Sequence, residues 1–500
     1  MRPDLLIRNA AVYDGSGASP VVGDVAVAGD RIVGVGRLDA ADCPEVLDAT
    51  GLCLAPGFID LHTHSDGRLC GRGADHSAVN HLRQGCTTVV TGNCGFGMLE
   101  AGRFLTDLNE TGVGVNVLHL IGHGSVRAKV MGASPAEPTA GQLDEMSQLV
   151  RRGMETGAAG MSTGLLYAPG AHAKTAELIE LAKVAGACGG LYASHIRHEG
   201  AEVLSAVAEA IRIGREARCR VQISHFKTIG PKGRGLGPAM CRLVEQARRD
   251  GVEVTADQYP YIASSTDLAS TVVPLRARDD FRRRLAGDAP DAALLAEIAE
   301  AIDLRGRAEG ILLTRCPERP EWEGKTLAEL AESMALPAPA ACVEVLKVSN
   351  PEVISFALNE ADARFIAGRD YVATGSDGSV PRPDGMVHPR SFGTFPRKIG
   401  LWARDRGWLS VAQAVRSATG LPADILRLPD RGYVRPGFAA DLVVFDLDAL
   451  TDRATFRAPR QYATGLRRVY VAGQAAVVDD TYTGALAGRG LARPAAAQES

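Results

Sequence analysis

Ala55-Pro-Gly-Phe-Ile-Asp-Leu-His-Thr-His64 is the stretch that decides the fold. A short apolar run closes on two histidines two positions apart. Successive side chains of a strand alternate faces, so His62 and His64 point the same way. Similar strand-like runs recur at 57–64, 87–94, 116–123, 158–165, 190–195, 220–225, 252–258 and 369–377, with helical stretches between them. That rhythm is the pattern of a parallel sheet built from βα units. Eight such units predict an α/β fold of the (β/α)8 TIM-barrel type.

The active site of a parallel barrel is built at the C-terminal ends of its strands. The ends of five of the eight runs supply His62 and His64, then Cys94, His195, His225 and Asp377, all residues that can bind metal. A lone histidine at a strand end is more often a hydrogen-bonded structural residue, and a lone cysteine more often a small core residue. Four histidines, a thiol and a carboxylate converging on one rim are instead a set of nitrogen, sulfur and oxygen donors suited to zinc.

Outward from the barrel, residues 1–54 alternate apolar and polar over short runs broken by Asp14-Gly15-Ser16-Gly17 and Gly29-Asp30, a meander of hairpins. Matching β-rich segments return between 430 and 488. Both chain ends are therefore expected to form one small β-domain around a barrel of residues 55–429. A charged, helix-rich stretch at about 275–350 interrupts the strand series and reads as an inserted helical segment over the rim. Residues 489–500 read as a frayed tail.

A net charge of -4 with both signs mixed lacks the basic footprint of a nucleic-acid binder. Neither a signal-peptide core nor a run of about 18 apolar residues occurs, so no membrane partner is expected. The ten cysteines form no Cys-x-x-Cys pair, which suits reduced thiols and a cytoplasmic setting. Oligomeric state is not legible.

The His-x-His after the first strand, the single histidines ending two later strands and the late aspartate resemble the amidohydrolase superfamily. Many of its two-metal members carry a carboxylated lysine on the fourth strand, and 158–165 contains no lysine. Cys94, in Thr91-Gly-Asn-Cys-Gly95, instead matches the N-acyl-D-amino-acid deacylases. Further stretches agree, including Ser194-His-Ile-Arg-His-Glu199, Ile223-Ser-His-Phe-Lys227, Asp257-Gln-Tyr-Pro-Tyr261 and His388-Pro-Arg-Ser-Phe-Gly-Thr-Phe-Pro-Arg397. The likeness runs from the first strand to about Gly488. It implies a tightly bound zinc on Cys94, His195 and His225, and a weaker second metal position near His62, His64 and Asp377. It also implies that Asp377 is the catalytic acid and base, that Arg390 binds the substrate carboxylate, and that Tyr167, Tyr259 and Ser265 contact the substrate. The loop from Gly378 to Pro389 and the segment Gly95-Phe-Gly-Met-Leu99 depart from the family's usual pattern, and both lie near the expected pocket. His123 and Lys227 fall near the same rim and receive no role.

An amide resists water because its carbonyl is resonance-stabilised and its nitrogen leaves poorly. A zinc-bound water with a pKa near 7 supplies a nucleophile, and a carboxylate can shuttle the proton. The expected activity is hydrolysis of a small-molecule N-acyl-D-amino acid or a related N-acylated compound. The alternatives are a cyclic amidase of the dihydropyrimidinase type, a biosynthetic deacylase or acyl transferase using the same zinc site, and a binding protein that keeps the rim without turnover.

Overall fold

The computed structural model describes residues 2–39, 43–70, 75–278, 280–286 and 291–493. Its central sheet has eight strands, here β1 (Phe58–Asp60), β2 (Cys86–Thr91), β3 (Asn116–Gly122), β4 (Gly160–Gly164), β5 (Leu191–His195), β6 (Arg220–Ile223), β7 (Val254–Gln258) and β8 (Val372–Thr374). They pair in that order, and every ladder is parallel. The ring closes just beyond the strand ends: Asp377 N donates to His62 O at 2.7 Å, and His64 N donates to Gly378 O at 2.7 Å. Almost every strand residue is buried, as expected when helices cover the outside and side chains fill the inside. This is a (β/α)8 barrel.

The outer helices are amphipathic and begin where the sequence provides caps. Ala140–Glu155, for example, starts at Thr139, whose side chain accepts from Gln142 N while Gln142 returns the bond. Its Met146, Leu149 and Val150 pack with Leu178, Val207 and Val244 of neighbouring helices in one continuous core.

The second sheet draws on both chain ends. Cys53–Pro56 pairs antiparallel with Leu442–Phe445, from Leu442 against Pro56 to Phe445 against Cys53. That ladder, with a bridge between Arg31 and Ala439, joins the amino-terminal hairpins to the carboxy-terminal part of a nine-stranded sheet. Residues 489–493 are ordered against the barrel: Leu491 N donates to Val117 O at 2.8 Å, and Arg493 N donates to Gly157 O at 2.9 Å. The expected tail thus begins later than 489, and 494–500 lie outside the described residues.

The segment between β7 and β8 is wider and less purely helical than its composition suggests. It holds helices Ala292–Leu304, Leu327–Ser333 and Ala338–Val348 and an antiparallel sheet of Ser264–Asp267, Glu352–Ser355 and Ile311–Arg315, with Glu352–Ser355 in the middle. These strands are four or five residues long and pair across dozens of positions. No local periodicity announces such pairings. The segment has its own apolar core, including Leu294, Ile298, Leu313, Leu330 and Leu346.

Candidate active site

The strand ends bring the candidate metal-binding side chains to one point. Cys94 Sγ lies 3.3 Å from His62 Nε2, 3.6 Å from His195 Nδ1 and 3.7 Å from His225 Nε2. Two donors on a tetrahedral zinc, at about 2.3 Å for sulfur and 2.0–2.1 Å for nitrogen, stand ~3.6 Å apart. The sulfur–nitrogen spacings therefore fit such an ion. The two imidazole nitrogens stand 2.7 Å apart, closer than the ~3.3 Å that tetrahedral geometry sets, so they must part slightly to share one. A second set, His62, His64, Cys94 and Asp377, has its donor atoms within 4.8 Å of one another.

Cys94, His225 and Asp377 have φ of 52°, 35° and 51°, a left-handed conformation that side chains rarely adopt. Each such residue stores about 1–3 kcal/mol and persists only where its surroundings hold it. His225 N donates to Asp257 Oδ1 at 2.8 Å, and Asp377 N is held by His62 O. The Cys94 turn is held by close packing. A Cβ on Gly164 would lie 2.0 Å from Cys94 O, and one on Gly95 would lie 2.7 Å from Gly164 N. The end of β4 therefore brings bare backbone against the Cys94 turn.

The charges around the site hold one another in place. Asp377 Oδ1 lies 3.0 Å from His64 Nε2 and 3.4 Å from His62 Nε2, and its Oδ2 accepts from Arg390 Nη1 at 2.7 Å. Burial opposes a charge on Asp377, but Arg390, His62 and His64 outweigh it and hold the carboxyl well below its usual range. Burial likewise opposes the Cys94 thiolate, and the imidazoles of His62, His195 and His225 prevail, lowering its pKa well below that of a free thiol.

A supporting layer escaped the sequence reading. Asp257 Oδ1 lies 3.2 Å from His62 Nδ1, and its Oδ2 accepts from Gln222 at 3.0 Å. Glu199 lies 3.2 Å from His225 Nδ1 and pairs with Lys227, whose ammonium is 2.9 Å from the same ring nitrogen. Such carboxylates orient metal-binding imidazoles. Asp257 stands inside the seventh run and Glu199 four residues past His195, but only a contact in space reveals either role. Asp60 Oδ1 accepts from His62 N at 3.2 Å and Ser376 N at 2.8 Å, tying β1 to the end of β8. With His81 and Cys86 it forms a third, wholly buried group of potential donors.

These groups open into a cleft of about 560 Å³ at the barrel mouth. Arg390, Tyr167 and Ser265 line it with His64, Cys94, His195, His225 and Asp377. Tyr167 stacks edge-on to His195 at 5.0 Å, and its hydroxyl meets Thr266 Oγ1 at 3.1 Å. Tyr259 is buried under Arg390, with the guanidinium carbon 5.1 Å from the ring centroid, and is not among the residues lining the cleft. Ser265 offers its carbonyl to Arg390 at 3.4 Å. Lys227 joins the cleft wall, whereas His123 turns away to Glu177 at 2.8 Å, beside Arg127.

Residues 45–301 and 361–477 match the model of the amidohydrolase family. The unmatched stretch falls within the segment between β7 and β8. A D-aminoacylase of Alcaligenes xylosoxydans xylosoxydans is 36% identical over 99% of this chain and 98% of its own length. A solved structure of D-aminoacylase, described by its binuclear metal centre with one-metal activation and second-metal attenuation, superposes with a TM-score of 0.85. It shares 34% identity and covers 98% of this chain and 100% of its own. N-acyl-D-glutamate deacylase of Bordetella bronchiseptica, solved with zinc and a phosphonate mimic of the tetrahedral intermediate, superposes at 0.84 with 31% identity, covering 99% of this chain and 100% of its own.

Proposed function

Because the chain belongs to the amidohydrolase family, we propose that it is a zinc-dependent hydrolase of the amide bond of N-acyl-D-amino acids, releasing a carboxylic acid and a free amine. The observation that carries this reading is the convergence of Cys94, His195 and His225 beside the Asp377–Arg390 pair in a single cleft. Cys94, His195 and His225 hold the tight metal; His62, His64 and Asp377 border a weaker second position. Zinc bound there supplies Lewis-acid activation of a water and of the amide carbonyl at neutral pH.

The protein's own groups do the rest. Arg390 grips the substrate's α-carboxylate through a charge-assisted fork and fixes which face of the α-carbon turns to the metal. That carboxylate competes with Asp377 for the guanidinium and frees Asp377 Oδ2 to face the reacting water. Asp377 accepts the water's proton as the new C–O bond forms, then delivers it to the amide nitrogen as the C–N bond breaks. General acid and base help of this kind is worth roughly 10²- to 10⁴-fold. Tyr259 supports the guanidinium through its ring from beneath the cleft wall, and Tyr167 and Ser265 border the bound molecule.

A cyclic-amidase reading finds no lysine on β4, and at its last position the Gly164 contact leaves no room for any side chain. No helix among the described residues is long and apolar enough to cross a membrane; a cytoplasmic setting fits the reduced cysteines. The test is a screen of N-acetyl-D- and L-amino acids for amine release, with zinc measured on the same sample. Release from the D series by zinc-loaded protein is expected. Turnover confined to the L series or to cyclic amides would overturn the reading.

A further inference from the structure

Beside the catalytic cleft lies a second cavity of about 500 Å³, within the range of small-molecule sites. Most of its exposed wall is apolar, through residues such as Leu165, Ile229, Val273, Leu275, Ala301 and Leu304, while Arg197, Lys232, Arg278, Glu297, Glu300 and Arg305 add charged groups to the lining. The two cavities are adjacent: Leu166 and Arg305 line both.

The position of this cavity in the barrel decides what reaches it. Leu165 follows β4, Gly200 and Ala201 follow β5, and Ile229 follows β6, whereas Asp377 and Arg390 follow β8. In a closed ring of eight strands, β4 stands across the mouth from β8, with the metal-binding donors between. An amide is planar and trans, so the α-carbon on nitrogen and the acyl chain on the carbonyl carbon leave in opposite directions. With the α-carboxylate held at Arg390 and the carbonyl at Cys94, His195 and His225, the acyl chain is directed away from β8, toward the apolar cavity.

We propose that this cavity is an acyl-chain site and that the preferred substrates carry a medium or long aliphatic acyl group rather than acetyl. The inference rests on the N-acyl-D-amino-acid reading and refines it. The inserted segment supplies much of the wall, through helices Leu268–Val272 and Ala292–Leu304. Burial of each additional methylene then favours the longer substrate.

The experiment measures kcat/KM for one D-amino acid acylated with acetyl, hexanoyl and decanoyl groups, and for N-acetyl-D-amino acids of increasing side-chain length. The wild-type protein should favour decanoyl over acetyl by at least about tenfold. Ala301→Trp, which fills the cavity from the inserted helix, should remove that preference and leave the acetyl substrate within about twofold. Leu275→Trp, from a different wall, should do the same, so a folding defect in one variant does not decide the matter. A flat chain-length profile with good acetyl turnover overturns the acyl-site proposal alone. So does a tryptophan variant that instead suppresses the response to side-chain length, because the cavity would then serve the side chain. No turnover of any N-acyl-D-amino acid overturns both this proposal and the reading beneath it.

Discussion

At the residue scale, the roles proposed for the zinc donors and for the proton shuttle make separate predictions. Cys94→Ala removes the only sulfur from the donor set and should purify with little zinc and no turnover; full zinc and normal rates in that variant would exclude Cys94 as a donor. Asp377→Asn nearly preserves shape but cannot carry a proton. It should keep about one zinc per chain while turnover falls by at least ~10²-fold. Loss of zinc in this variant would make Asp377 a primary ligand. Arg390 is bound to Asp377 at 2.7 Å, so Arg390→Ala disturbs more than substrate capture. Its Michaelis constant should rise chiefly for carboxylate-bearing substrates, with a smaller change in kcat from the loss of Asp377's partner.

At the element scale, two features of the fold act on function and stability without touching substrate. The end of β4 lies so close to the Cys94 turn that Gly164→Ala must push the turn away. The variant should lose zinc although Gly164 donates no ligand, as metal analysis of the folded protein would reveal. The second feature is Lys398, in the helical stretch Arg397–Asp405. It is buried over the Trp402 ring, its ammonium has no hydrogen-bond partner among the described residues, and burial pushes its pKa down to about 7. An unfolded lysine titrates near 10.4. Between those two values the unfolded chain holds the extra proton, so stability rises with pH across the window and the penalty is fully present below about 7. Lys398→Met should raise the urea midpoint at neutral pH and flatten its rise toward pH ~10. An unchanged slope would show that the ammonium finds a partner in solution.

At the scale of the whole molecule, the segment between β7 and β8 packs around its own core yet contributes Ser265, Arg305, Arg315 and Glu352 to the cleft. A wall shared in this way couples ligand binding to the order of the segment. Hydrogen exchange in Ala292–Leu304 and Ile311–Arg315 should slow when a substrate analogue saturates the cleft. Exchange that stays constant under saturation would mark the segment as a fixed wall.

The barrel and the convergence of candidate donor residues on one rim were legible along the chain because both depend on local order. Eight apolar runs at βα spacing specify the ring, and the ends of parallel strands must face one rim, so His62, His64, Cys94, His195, His225 and Asp377 could be named together. The amide chemistry followed from the donor types and from the resemblance they carry. Tertiary structure alone decided the contacts between residues far apart in sequence: Asp257 on His62 across 195 positions, the Asp377–Arg390 pair, and the Gly164 backbone against Cys94. The short strands Ser264–Asp267 and Glu352–Ser355 became visible only as partners. The apolar cavity is likewise a property of packing, since its walls come from three barrel loops and an inserted segment whose closeness no sequence period records.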